Sequence, residues 1–273
     1  MEIRQSKEYA KHLANLGWTV EIYDEINYFV RKMPILRAVL KIQRPENLNF
    51  EVIEQLRKKY RPFQTIIEPK NKNQAMALKD RGYCLSKSPY LPTKTLILKL
   101  NSKEKIFKNF KKDTRYAIKK SSNLIIAHNP PIADFHASWK SQAHFSQYVP
   151  ALSTLVSLQT SFGTNMLVLT SHNDINEQKK FSAGSVFLKS GDTAYYWQSF
   201  SGTVGRSTLA QYSLVYQGIL WAISKGARSF DFEGIYDNRF PNKRWLGFSH
   251  FKKQFGGQEV SYPGSFVKYF WSS

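Results

Sequence analysis

Cysteine is nearly absent: Cys84 is the only one in 273 residues. An internal disulfide and a cysteine-ligated zinc site are both excluded. The six histidines (His12, His128, His136, His144, His172, His250) never adopt His-Glu-x-x-His spacing, so no zinc-hydrolase helix is expected either. Ser199 and Ser201 lack a Gly-x-Ser-x-Gly elbow and do not point to a serine hydrolase. No apolar run approaches the length of a transmembrane helix, and Met1-Glu2-Ile3-Arg4 opens a polar amphipathic segment, not a secretion signal. The expected location is the cytoplasm. Acids are scarce too: twenty Asp and Glu face forty Lys and Arg, for a net charge of +20 and a pI near 9.9. That excess favours nucleic acid, phosphorylated substrates or an anionic membrane face as partners, although a generally basic surface would give the same balance.

What is present is ample apolar material, 42% hydrophobic and 15% aromatic residues, which marks a folded chain. Its length suits one large or two small domains. From the start, Ser6 is a plausible N-cap for a short helix ended by Gly17. Strands are expected at 19–23, 28–32 and 35–42, then a helix over 49–60 with Phe50, Ile53 and Leu56 on one face. A strand over 63–68 runs into Pro69, a helix over 74–80 precedes Arg81-Gly82, and a strand over 93–100 follows Pro89 and Pro92. This order reads as an α+β layered unit.

Residues 103–120 carry eight Lys or Arg against Glu104 and Asp113, with Ile106, Phe110 and Ala117 near one helical face. Such a run is either a solvated helix face or a phosphate-binding surface. Beyond it come a strand over 124–128, helices over 134–145 and 151–160, and strands over 166–170, 181–188 and 193–199, with a polar hairpin loop at 171–180. The densest pattern is Ala194 to Gly257. An aromatic strand, Ala194-Tyr195-Tyr196-Trp197, crosses a turn to Arg206. A helix follows with Leu209, Tyr212, Tyr216, Ile219 and Ile223 on one face, stopped at Lys225-Gly226. The strand Phe230-Asp231-Phe232-Glu233-Gly234 comes next, then Trp245-Leu246-Gly247 leading to Phe251-Lys252-Lys253-Gln254-Phe255-Gly256-Gly257. Terminal strands are expected at 259–262 and 265–271.

This succession resembles the FemAB peptidoglycan-bridge aminoacyltransferases, in Arg206, Ala210, Phe230-Asp231-Phe232, Gly234-Ile235, Trp245, Gly247, Phe251-Lys252 and Phe255-Gly256-Gly257. Looser likeness covers the rest, including the Lys-Lys-x-Thr-Arg-Tyr-x-Ile-Lys-Lys core. The resemblance implies an α+β fold of tandem acetyltransferase-like (GNAT-type) units, with mixed central sheets flanked by helices. Residues 1–101 would form the first unit, 102–120 a basic connecting helix and 121–273 the second, its last strands free to pack back on the first. No sustained heptads are present, so no coiled-coil arm is expected.

The implied activity is transfer of an amino acid from aminoacyl-tRNA to an amine of a nucleotide- or lipid-linked peptidoglycan precursor, without cofactor or metal, with peripheral contact at the anionic inner membrane face. Such acyl transfer needs amine deprotonation, oxyanion stabilisation and alignment. The resemblance places the oxyanion cation at Lys252, beside Phe251; a surface cation favourable to a helix C-terminus is the plainer reading. Glu68, at a strand end before Pro69, coincides with an acidic amine-side position and is the candidate base, or an ordinary strand-end carboxylate. Asp231 and Glu233 alternate with phenylalanines and share one strand side; they suit acid/base work, a metal, a turn cap or pairing with Arg206 or Arg244. Substrate contacts are expected from Phe251, Arg206, Tyr195, Tyr196, Asp231 and Trp245, and tRNA phosphate contacts from Lys111, Lys112, Arg115, Lys119, Lys243 and Arg244.

The loop Ser201-Gly202-Thr203-Val204-Gly205-Arg206 lacks the R/Q-x-x-G-x-G/A spacing that cradles coenzyme A pyrophosphate. Two departures from the family leave the acceptor open. Residues 146–150 hold no Arg or Lys, and 41–45 replace a longer Pro-Arg-Gly-Pro stretch. The competing readings are an acyl-CoA-dependent N-acyltransferase on a cell-envelope sugar or small amine, and a non-enzymatic RNA-binding protein.

Overall fold

The computed structural model describes residues 2–34, 37–143, 148–172 and 181–270. In chain order the elements are α1 (Lys7–Asn15), β1 (Thr19–Tyr23), β2 (Ile26–Met33), β3 (Arg37–Gln43), α2 (Phe50–Tyr60), β4 (Gln64–Glu68), α3 (Lys72–Lys79) and β5 (Cys84–Leu85). Then come β6 (Lys94–Lys99), α4 (Lys103–Asn109), α5 (Lys112–Lys120), β7 (Ile125–His128), α6 (Ile132–Gln142), α7 (Leu152–Phe162), β8 (Met166–His172), β9 (Ala183–Ser190) and β10 (Thr193–Ser201). Last are α8 (Thr203–Ser207), α9 (Ala210–Ser224), β11 (Ser229–Gly234), α10 (Leu246–Lys253), β12 (Gln258–Ser261) and β13 (Phe266–Tyr269). The expected helix end at His144-Phe145, residues Ser146 and Gln147, the hairpin tip at 173–180, Ile35 and Trp271 lie outside the described residues.

Two compact units result, each built from several stretches: 1–95, 236–244 and 260–273 form one, and 96–235 with 245–259 the other. The first holds a six-stranded mixed sheet in the order β1-β2-β3-β4-β13-β5. Strand β3 pairs parallel with β4, and β13 lies antiparallel between β4 and β5, with Phe266 opposite Ile67 on one side and Leu85 on the other. Alternation sends Val30, Leu40, Ile42 and Ile67 to one face, where they bury against Ile53 and Leu56 of α2 and against Phe266. The cap read from sequence is present, Ser6 Oγ accepting from Tyr9 N at 3.1 Å, and Asn49, expected inside its helix, instead caps it by accepting from Val52 N at 3.2 Å.

The second sheet runs β12-β6-β11-β10-β9-β8-β7, also with both pairing senses. Its core is aromatic: Phe110, Phe187, Phe230, Phe232 and Phe255 are essentially fully buried. The basic segment is two helices, not one. Phe110 leaves helical geometry between α4 and α5 and inserts edge-on against Phe255, 5.2 Å between ring centres. Helix α9 also differs from its expected face. Leu209 precedes it in left-handed backbone (φ 58°), and the buried stripe is Ala210, Ser213, Leu214, Val215, Gly218, Ile219 and Ala222. The helix carries no charge anywhere along it, so periodicity alone could not choose the face; the buried one mixes small residues with Leu214, Val215 and Ile219. A Cβ at Gly218 would lie 2.3 Å from the Phe187 ring.

Candidate active site

Parallel pairing of β10 with β11 runs through Thr193↔Ser229, Ala194↔Phe230 and Tyr195↔Asp231 and stops there. One residue further on, the register of β10 against β9 slips between Tyr196 and Gln198. A bulge of this kind bends its strand and re-aims the neighbouring side chains. The neighbouring strands therefore part beyond Tyr195 and Asp231. Lys252 of α10 occupies the opening: its Nζ donates to the Gly234 carbonyl of β11 at 2.7 Å and lies 5.7 Å from the Tyr196 ring of β10. Phe248, one helical turn back, covers the amine at 5.0 Å.

Lys252 is only 8% exposed. Burial lowers its pKa from the ordinary 10.5 to about 8, against the attraction of Glu233 and Asp231, which hold it up. An ammonium has three N–H donors; among the described residues one goes to Gly234, leaving two for a ligand. Tyr196 is held as a neutral phenol, its pKa raised to about 12 by burial despite hydrogen bonds with Ser199 and Gln211. Its hydroxyl donates to Ser199 Oγ at 2.8 Å and accepts from Gln211 Nε2 at 2.6 Å. Asp231 Oδ1 accepts from the backbone N–H of Glu233 at 2.7 Å. A buried cation with N–H donors can stabilise a developing oxyanion.

Of the residues named from sequence, Lys252 and Tyr196 come together in this second unit, while Asp231 pairs with Tyr195 on the other face and acts on Lys252 through its charge. Phe251 packs on Tyr212 at 4.9 Å and on Phe255 at 5.3 Å. Trp245 starts the same helix and leans on Phe248 at 5.3 Å. Tyr195 is buried on the opposite side of β10. The Arg206 guanidinium is committed to the Ser201 carbonyl at 2.7 Å. Lys111, Lys112 and Lys119 are exposed, whereas the Arg115 guanidinium donates to the carbonyls of Lys108 and Phe110 and so closes the α4–α5 corner. The backbone N–H of Lys111 and the Thr114 hydroxyl both donate to the Gln254 carbonyl, at 3.1 and 3.0 Å, which ties the start of α5 to the end of α10.

In the first unit, Glu68 is 3% exposed, and its two oxygens accept from Ser265 Oγ at 2.8 Å and Gln43 Nε2 at 2.9 Å. Lys243 and Arg244 are exposed. Asp237 went unnoticed in the sequence. Burial alone would raise its pKa, but hydrogen bonds from Arg239 and Thr93 bring it down to about 2. It holds the turn after β11 by binding both residues, at 2.7 Å to Arg239 and 2.6 Å to Thr93.

The FemAB family profile matches residues 133–271, half of the chain. The chain belongs to the FemAB family. Among solved structures it is similar to that of FemX, with a TM-score of 0.80 at 13% identity, covering 98% of this chain and 92% of that one. It also resembles the C-terminal domain of a lysylphosphatidylglycerol synthetase from Agrobacterium fabrum (0.63, 12% identity, 97% and 88% covered). A tandem GNAT protein of clavulanic acid biosynthesis gives 0.61 at 9% identity, with 91% and 80% covered. These likenesses give the fold, tandem GNAT-type units with mixed sheets flanked by helices. No curated protein matches the sequence. Membership of the FemAB family makes the chain, at family level, a peptidoglycan-bridge acyltransferase.

The candidate site includes a residue that sequence spacing missed. Gln211 of α9 bridges Tyr196 and Ser185 Oγ (2.5 Å), and nothing in the sequence set it apart from Gln217 on the same helix. The glycines of the loop after β10 have packing reasons. A Cβ at Gly205 would meet the Ser182 carbonyl at 2.4 Å and the Ala183 Cβ at 2.9 Å, and one at Gly202 would collide with the Gln142 side chain. Both glycines let the loop approach β9. Helix α8 that follows is only five residues long. Acetyl-CoA is accordingly expected neither to raise the melting temperature nor to serve as donor, because any ligand of the folded state stabilises it by mass action. A clear thermal shift at millimolar acetyl-CoA overturns this expectation.

Proposed function

We propose that this FemAB chain transfers an aminoacyl group from aminoacyl-tRNA to an amine of a peptidoglycan precursor. The supporting observation is the Lys252 ammonium, buried where β10 and β11 part, with donors to spare. The amine attacks the ester carbonyl, a C–N bond forms, the carbonyl oxygen collects negative charge, and the C–O bond to the tRNA ribose breaks. Lys252 donates to that oxyanion, an interaction stronger in the transition state than in either substrate. Phe251, Trp245 and Tyr196 supply apolar contact beside it, with Asp231 behind. The proton lost by the nucleophile passes to the departing ribose oxygen. Neither coenzyme A nor a metal enters these steps. A lipid-linked acceptor would bring the chain to an anionic membrane face; among the described residues no helix is long and apolar enough to cross a membrane.

The direct test supplies tRNA charged with one labelled amino acid at a time, together with nucleotide-linked or lipid-linked precursor. The expected result is a precursor heavier by one aminoacyl residue. Absence of transfer from every charged tRNA, with acyl transfer from an acyl-CoA, would reverse the reading.

The donor side carries its own expectation. Lys111, Lys112 and Lys119 project from α5, so replacing all three by Gln should weaken tRNA binding. The slope of log K against log salt should flatten by about 0.7–0.9 for each phosphate that is no longer neutralised. Arg115→Gln should instead lower thermal stability, because its guanidinium serves the helix corner. A filter-binding salt series in which the triple variant keeps the original slope sinks the assignment of α5 to RNA.

A further inference from the structure

Glu233 is a non-glycine residue in left-handed backbone, φ 57°, within strand β11. Such a conformation is strained for a residue with a Cβ and persists where the surroundings hold it. The hold is visible two residues earlier. Asp231 Oδ1 accepts the Glu233 N–H at 2.7 Å, the side-chain-to-backbone turn that Asp makes over two residues. One residue further on, the Gly234 carbonyl accepts from Lys252 Nζ. The direction of that carbonyl depends on the backbone angles immediately before it.

We propose that Asp231 is a positioning residue: by binding the Glu233 N–H it keeps Glu233 left-handed, which aims the Gly234 carbonyl at the Lys252 ammonium. Asp231 and Phe230 alternate across β11, so the phenylalanines of this strand anchor in the core while the carboxylate is turned away from them. The strand thereby carries its own brace. The charges of Glu233 and Asp231 also hold the Lys252 pKa up against burial, but charge and shape make different forecasts, and that separates them.

The importance of the brace rests on Lys252 being the catalytic cation, yet its test needs no transfer reaction. Competitive labelling with acetic anhydride, read residue by residue by mass spectrometry, reports how accessible and nucleophilic the Lys252 amine is. Hydrogen exchange reports the Glu233 amide. Asp231→Ala should speed Lys252 labelling about tenfold, the scale of losing one charge-assisted hydrogen bond, and should deprotect the Glu233 amide. Asp231→Asn keeps an acceptor oxygen in place and should preserve that protection.

The decisive comparison uses Glu233→Gly, since glycine adopts the left-handed region without a brace. In that background, Asp231→Ala should change Lys252 labelling by less than about twofold, a coupling that a double-mutant cycle measures directly. Equal effects of Asp231→Ala in both backgrounds, with Asp231→Asn matching it, would mean that Asp231 acts by charge and would overturn the proposal. So would an unchanged Glu233 amide in Asp231→Ala. Loss of aminoacyl transfer in a Lys252 variant has no bearing on these readouts, so the two readings can fail separately.

Discussion

Lys252→Met is expected to lower the transfer rate by roughly 10²–10³-fold, the scale of one oxyanion donor, with little change in tRNA affinity. Methionine keeps the unbranched stem that packs under Phe248 and beside Tyr196 and deletes only the cation. Lys253→Met is the control. Its amine is tied to Glu259 at 2.5 Å and half-exposed, and one position along a helix it points elsewhere, so its loss should cost far less. Similar small effects of both changes would remove Lys252 from the mechanism. An equal rise in the Michaelis constant with unchanged kcat would make it a ground-state clamp.

The same substitution carries a pH signature. Folded Lys252 releases its proton near pH 8, whereas in the unfolded chain a lysine does so near 10.4, about its unperturbed value. Between those values the unfolded chain binds more protons, so Lys252 makes stability rise with pH across that window. Below about pH 8 the folded state carries the cost of a buried charge. In Lys252→Met this slope should vanish. In the native chain, turnover should fall as pH passes about 8 and the cation is lost. A rate that keeps climbing to pH 9.5 would instead favour a neutral-amine role.

Phe255→Ala should destabilise the second unit by about 3–5 kcal/mol, the range for emptying a buried phenylalanine site. Phe255 is fully buried and touches four rings: Phe110 at 5.2 Å, Phe251 at 5.3 Å, Phe232 at 5.6 Å and Tyr212 at 5.8 Å. These come from the helix corner, α10, β11 and α9, so little backbone is free to collapse into the space. Residue-resolved hydrogen exchange across a urea series is the suitable measurement, since a chain of two units need not unfold in one step. Protection in α9 and β11 should fall together. A loss below about 1 kcal/mol, or one confined to α10, would show that the aromatic cluster is not a single cooperative unit.

Local chemistry wrote much of this fold openly. Ser6 announced its helix because a short polar side chain can satisfy an orphan N–H, and strand alternation announced Phe230 and Phe232. The order around Phe251-Lys252 gave the family. What stayed hidden depends on partners distant in sequence. Nothing near Lys252 specifies that its amine meets the carbonyl of Gly234. Nothing near Phe110 says that it must leave its helix to reach Phe255. The buried face of α9 was illegible because an uncharged helix offers several equivalent faces. Glu233 lies in the expected strand, but its positive φ was illegible, since sequence pattern assigns faces and carries no sign of φ.

Strand β13 has a consequence in the time of synthesis. The ribosome delivers β4 and β5 long before residues 266–269, yet those two strands pair with β13 and not with each other. A nascent chain that has emerged only as far as the second unit therefore carries two unsatisfied strand edges, the surfaces that recruit foreign strands. Vectorial folding, N-terminal part first, is denied to the first unit, which can close only after the second has been made. Stalled or prematurely terminated chains should accordingly be prime clients for chaperones, and a stop codon before Phe266 should yield aggregates in place of a folded N-terminal fragment.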